Sequence, residues 1–101
     1  MNWTILLEQR LARRIQLWGR PYPALPGLVQ QRLQDELAAD PDRHLGALIV
    51  PTTDRVYHMQ FNAVPGIPDC LLCTFAVRRD DQSRTLQILG ARMQTPRAGQ
   101  P

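Results

Sequence analysis

The apolar spacing of this chain changes period once, near His44, and that change limits the folds open to it. Before it, Leu7, Leu11, Ile15 and Trp18 recur every three or four residues with Arg10, Arg13 and Arg14 between them. That stripe predicts an amphipathic helix over residues 4–18, although Trp3 and Ile5 also suit a short leading strand. Gly19 supplies a stop, and the two prolines of residues 20–25 predict an extended connector. Pro26 fits a first helical turn, and Val29, Leu33 and Leu37 repeat at four-residue steps, which predicts a second helix over residues 26–39, closed by Asp40-Pro41.

After His44 the period drops to two. A short apolar run covers residues 47–50, and in residues 56–62 Tyr57, Met59 and Phe61 alternate with His58 and Gln60. Pro65, Gly66 and Pro68 mark a loop, residues 70–77 form the most apolar strand, residues 78–84 carry charges and a turn, and residues 85–93 return with Leu86 and Ile88 inward. The fold class is therefore α+β, with two N-terminal helices packed on one face of a small antiparallel sheet of three or four strands. A chain of 101 residues supports one core, assigned to residues 1–93, with a flexible tail at 94–101 rich in Pro, Gly and Gln.

All twelve basic residues are arginine, and the net charge of +3 suits an anionic partner. No apolar run is long enough to span a membrane, and the basic residues that follow Leu7 do not read as a secretion signal. A cytoplasmic protein without membrane contact is expected.

Cys70 and Cys73, with His44 and His58, supply four candidate soft ligands. Residues three apart in a strand point to opposite faces, so the two thiols diverge, and no cofactor is expected. The lone serine, Ser83, has no histidine near it in sequence, and nucleotide-binding glycine motifs are missing. Trp3 and Trp18 read as core aromatics. If Tyr57, Met59 and Phe61 pack against the helices, His58 and Gln60 lie on the uncovered face, and Arg92, beside Gly90, is placed there with them.

The layout resembles the RelE/ParE toxin superfamily of bacterial toxin-antitoxin modules. The likeness rests on an apolar segment leading into a helix, a second helix opened by Leu25-Pro26 and closed by Asp40-Pro41, and a meander ending in residues 85–92. It implies an mRNA-cleaving, ribosome-dependent RNase, or a binder that inhibits DNA gyrase, silenced by an antitoxin whose acidic segment wraps the domain. Carried over by strand, the resemblance puts the catalytic pair on His58 and Arg92, with Gln60, Arg55, Arg78, Arg79 and Arg84 as nucleic-acid contacts. The family's tyrosine-arginine signature falls on residues 71–75, which lack the arginine, and no tyrosine follows Arg92. A catalytically inert interaction module on the same fold is the alternative, followed by a small zinc protein using His44, His58, Cys70 and Cys73.

Overall fold

The computed structural model describes residues 2–46, 48 and 51–95. The chain begins with a strand, β1 (Thr4–Leu7), and the first helix, α1, covers only Gln9–Leu17. The expected helix over residues 4–18 is thus shortened at its start. Ile5 and Leu7 find inward places beside Leu86 and Ile88 of the last strand, while Leu11, Ile15 and Trp18 keep the helical stripe and are buried. The proline connector is wound, not extended. Tyr22 donates its N–H to the Trp18 carbonyl (3.2 Å) and Leu25 to that of Tyr22 (2.9 Å), since the fixed φ of proline serves a turn as readily as an extended run.

The second helix, α2 (Leu25–Arg32), carries Pro26 in its first turn and continues as a π-helical turn over Leu33–Ala38. The wider winding accompanies burial of Leu33, Leu37 and Ala38 and points Glu36 at Tyr57. A third helix, α3 (Pro41–His44), was not anticipated. The Asp40 side chain accepts from the Arg43 N–H (3.3 Å) and Pro41 takes the first position, so the pair that closes one helix also caps the next.

Strands β2 (Arg55–Phe61), β3 (Leu71–Asp80) and β4 (Thr85–Gln94) form the expected antiparallel meander. The four-stranded sheet has the order β1-β4-β3-β2, and β1 lies parallel to β4. The sheet is therefore mixed, which corrects the all-antiparallel expectation. The chain leaves β1 through helices and re-enters at the far edge, and the meander brings β4 alongside β1 in the same direction. β3 also runs on to Asp80, paired through Arg79↔Leu86 and Asp80↔Thr85 and with Arg79 over the Trp3 ring (4.6 Å), and this confines the turn to residues 81–84.

Tyr57, Met59, Phe61, Leu71, Cys73, Phe75, Val77, Leu86 and Ile88 face the helices and meet Leu11, Ile15, Leu25, Val29, Leu33 and Leu37 in one core. The pairing of β3 with β4 shifts between Val77↔Ile88 and Ala76↔Gly90, leaving Leu89 as the extra residue of a β-bulge. Among the described residues the helices cover one side of the sheet only. At the β2 edge, the Val56 carbonyl accepts from the Gly46 N–H (2.8 Å), the Gln60 carbonyl accepts from the Arg32 guanidinium (2.6 Å), and Leu48 bridges to Arg55. The rest of the apolar run 47–50 and residues 96–101 of the expected tail lie outside the described residues. Among the described residues no helix is long and apolar enough to cross a membrane.

Candidate nucleic-acid interface

On the side of the sheet away from the helices, the cross-strand pairs form rows. His58 of β2 stands opposite Thr74 of β3, and Thr74 opposite Arg92 of β4. The two residues assigned to catalysis thus share one row, two strand spacings or about 10 Å apart at the backbone. The His58 Nδ1 and Thr74 Oγ1 share a hydrogen bond of 3.3 Å, its direction set by the imidazole tautomer. Arg92 is exposed and makes no ion pair among the described residues.

The bulge puts Arg92 on this face. Counted by twos from Leu86 and Ile88, Arg92 would point into the core, and the extra residue at Leu89 reverses the parity so that Ala91 is buried and Arg92 is exposed. The row on one side of His58–Thr74–Arg92 is Gln60, Leu72 and Gln94, and that on the other is Val56, Ala76 and Gly90. Ala76 and Gly90 leave a flat floor where a chain can approach the backbone. Tyr57, Phe61 and Phe75 all point the other way into the core, so contact with a nucleic acid here runs through phosphates and hydrogen-bonding edges more than through stacking.

The remaining assigned contacts divide. Gln60 is exposed beside His58, and Arg78 lies on the same face, where its guanidinium binds the carboxylate of buried Asp54 (3.0 Å). Arg55 and Arg79 belong to the helix-covered side, around a depression with Pro41, Asp42 and Leu45. Arg55 donates to the Gly46 carbonyl (3.1 Å), and Arg79 is bonded to Asp42 and to Asp81 (2.6 Å), contacts that raise its pKa further. Arg84 sits over the Trp3 ring at 4.9 Å. The open face therefore gathers His58, Gln60, Arg78 and Arg92, while Arg55, Arg79 and Arg84 lie elsewhere. Thr74 was missed because a threonine inside an apolar strand carries no signal until its register is known. Asp42 and Asp54, which neutralise two of the arginines, are far from them in sequence.

The proposed zinc ligands do not converge. His44 packs edge-on to Tyr57 (6.2 Å) on the covered side, His58 faces outward, and Cys73 is buried, where burial pushes its thiol up to about 11 and keeps it protonated.

Beneath the sheet, Tyr57 donates its hydroxyl to Glu36 (2.8 Å), and Arg32 pairs with the same carboxylate (3.1 Å). Burial works to raise the Glu36 pKa, but the bonds from Tyr57 and Arg32 and the charge of Arg32 outweigh it, so the carboxyl is held below its ordinary value. Burial and the neighbouring carboxylate push the Tyr57 pKa up. A carboxyl with a lowered folded pKa stabilises the fold above its unfolded pKa, and that contribution is lost as pH falls through the folded one. Urea midpoints should therefore fall faster below about pH 4.5 for the parent than for Glu36→Gln, with the gap between them narrowing toward acid. Parallel curves would remove Glu36 as the cause.

Comparison with protein-family models, curated proteins and solved structures finds no match to this chain.

Proposed function

We propose that this chain is a toxin of the RelE/ParE type that lays an RNA strand across the open sheet face and cleaves it. The observation that carries this reading is the row His58–Thr74–Arg92, a titratable imidazole and an ion-pair-free guanidinium on one uncovered face. In the tautomer that donates Nδ1–H to Thr74, the His58 Nε2 lone pair is free to take the proton of a ribose 2′-hydroxyl. The resulting 2′-oxygen attacks the adjacent phosphorus, a cyclic phosphate forms, and the bond to the 5′-oxygen breaks. Arg92 offsets the charge that builds on the non-bridging oxygens, and the leaving 5′-oxygen takes its proton from water. An antitoxin with an acidic segment would silence the site by occupying Arg92.

The engagement of Arg78 by Asp54 and of Arg79 by Asp42 and Asp81 favours a second reading, a binder of gyrase or another protein that needs no cleavage. Tightly induced expression in a bacterial host, with messages and protein synthesis followed together, separates the two. Growth arrest with cut messages is the expected result. Arrest with intact messages and a DNA-damage response would replace cleavage by binding, and unimpaired growth with folded protein would overturn the toxin reading.

A further inference from the structure

The acidic residues of the chain are unevenly spread. None lies between Glu8 and Asp35 or after Asp81, so α1 and β4, which pack against each other, carry Arg10, Arg13, Arg14 and Arg92 and no carboxylate. At 3.6 residues per turn the three arginines of α1 share one flank with exposed Leu17, while Gln9, Ala12 and Gln16 fall on the other. Among the described residues Arg10 alone of these four arginines has an ion pair, with Glu8 at 3.5 Å, and both side chains are more than half exposed, which makes the pair weak. Arg32, Arg78 and Arg79, by contrast, are each held at a carboxylate near the strands.

One hydrogen bond joins this flank to the sheet. β1 accompanies β4 only from Thr85 to Ile88, so the rest of β4 has no strand beside it on that margin among the described residues. Here the Ala91 carbonyl accepts from the Arg14 Nη1 (3.2 Å), and Arg14 keeps its other N–H groups for a ligand. The next residue is Arg92, the end of the His58–Thr74–Arg92 row. The basic surface thus passes from the open face, around the margin of β4, to α1.

We propose that an RNA strand held at the row runs on over the margin of β4 to α1, where Arg14 and Arg13 bind its next phosphates. This path deepens the RNA reading of the sheet face and rests on it. Guanidinium forks match phosphate oxygens two at a time. A chain charged at every nucleotide needs cations along its path and no pocket. A protein segment is the poorer occupant, because protein partners draw their affinity from apolar anchors, and Leu17 is the one large apolar side chain exposed on this flank.

Binding of a 2′-O-methylated single-stranded RNA, which has no 2′-hydroxyl to react, to the full chain tests this by fluorescence anisotropy over a salt series. Arg13→Ala and Arg14→Ala should each lower the slope of log K against log salt by ~0.7, the loss of one phosphate contact to a single strand, and Arg92→Ala should do the same. Arg43→Ala on α3 makes the same change in net charge elsewhere and should leave the slope in place. If Arg14→Ala does not fold, Arg13→Ala decides alone, since the Arg13 side chain has no hydrogen bond or ion pair among the described residues. A slope lowered by Arg92→Ala but by neither variant of α1 would overturn the path and leave the RNA reading of the sheet standing. A fall for the α1 variants without Arg92→Ala, or an equal fall for Arg43→Ala, would also overturn it, in favour of a separate site or of net charge. A parent that binds no RNA, but binds oligoglutamate through Arg13 and Arg14, would overturn both readings and give the flank to an acidic protein.

Discussion

Replacing His58 by alanine is expected to slow RNA cleavage by ~10²–10⁴-fold, the range lost when a positioned general base is removed, with thermal unfolding unchanged. The separation of activity from stability follows from placement. His58 is exposed, and among the described residues its one side-chain hydrogen bond is to Thr74 on the solvent side of the sheet. Arg92→Ala belongs to the same experiment and should cost ~10²–10³-fold through lost charge stabilisation. In the proposed mechanism the two residues act on one phosphate, so the double variant should fall well short of the product of the single losses. Purified protein, a defined message and a translation extract suffice for the measurement. Cleavage at parental rates by both single variants would sink the site assignment, and loss of activity together with a collapsed melting transition would mean that the residues matter for folding instead.

Phe75→Ala is expected to destabilise the fold by ~3–5 kcal/mol, the cost of emptying a large buried aromatic site. Phe75 is fully buried on β3, one of the two strands flanked on both sides in the sheet. Its ring stacks on Tyr57 at 6.0 Å and lies tilted against Trp18 at 6.3 Å, so one side chain ties the C-terminal end of α1 to β2 and β3. A domain of this size is stable by only ~5–15 kcal/mol, which leaves the variant close to unfolding at room temperature. Urea titration at neutral pH should show a midpoint displaced far toward low denaturant, while Arg92→Ala, on the other side of the same sheet, leaves it in place. A Phe75→Ala midpoint within experimental error of the parent would mean that the core is not centred where the structure puts it.

Much of this architecture could be read from residue spacing, for reasons that also explain the errors. Leu11, Ile15 and Trp18 announce α1 because a buried helical stripe tolerates little else, and Tyr57, Met59 and Phe61 announce β2 in the same way. Ile5 and Leu7 suit either period, and only the long-range partnership with Leu86 and Ile88 makes them a strand. Asp40-Pro41 is a strong signal with two meanings, and the reading as a terminator concealed the start of α3. The outward position of Arg92 rests on the bulge at Leu89, for which Gly90 inside the strand is a cue, but a glycine there gives neither the presence nor the position of the extra residue until β3 is paired with β4. Of the candidate site, His58 and Gln60 were legible from alternation. The diversion of Arg78 and Arg79 to Asp54 and Asp42 was not, because pairs 24 and 37 residues apart meet only once the chain is folded.

The guarded β2 edge also bears on how the chain behaves when crowded. The Val56 and Gln60 carbonyls, acceptors that an added strand would need, are already taken by the Gly46 N–H and the Arg32 guanidinium, so a foreign strand cannot run along that edge without displacing both. Taking the Arg32 guanidinium away from the Gln60 carbonyl should therefore lower the protein concentration at which fibres first form, read by thioflavin fluorescence against the parent.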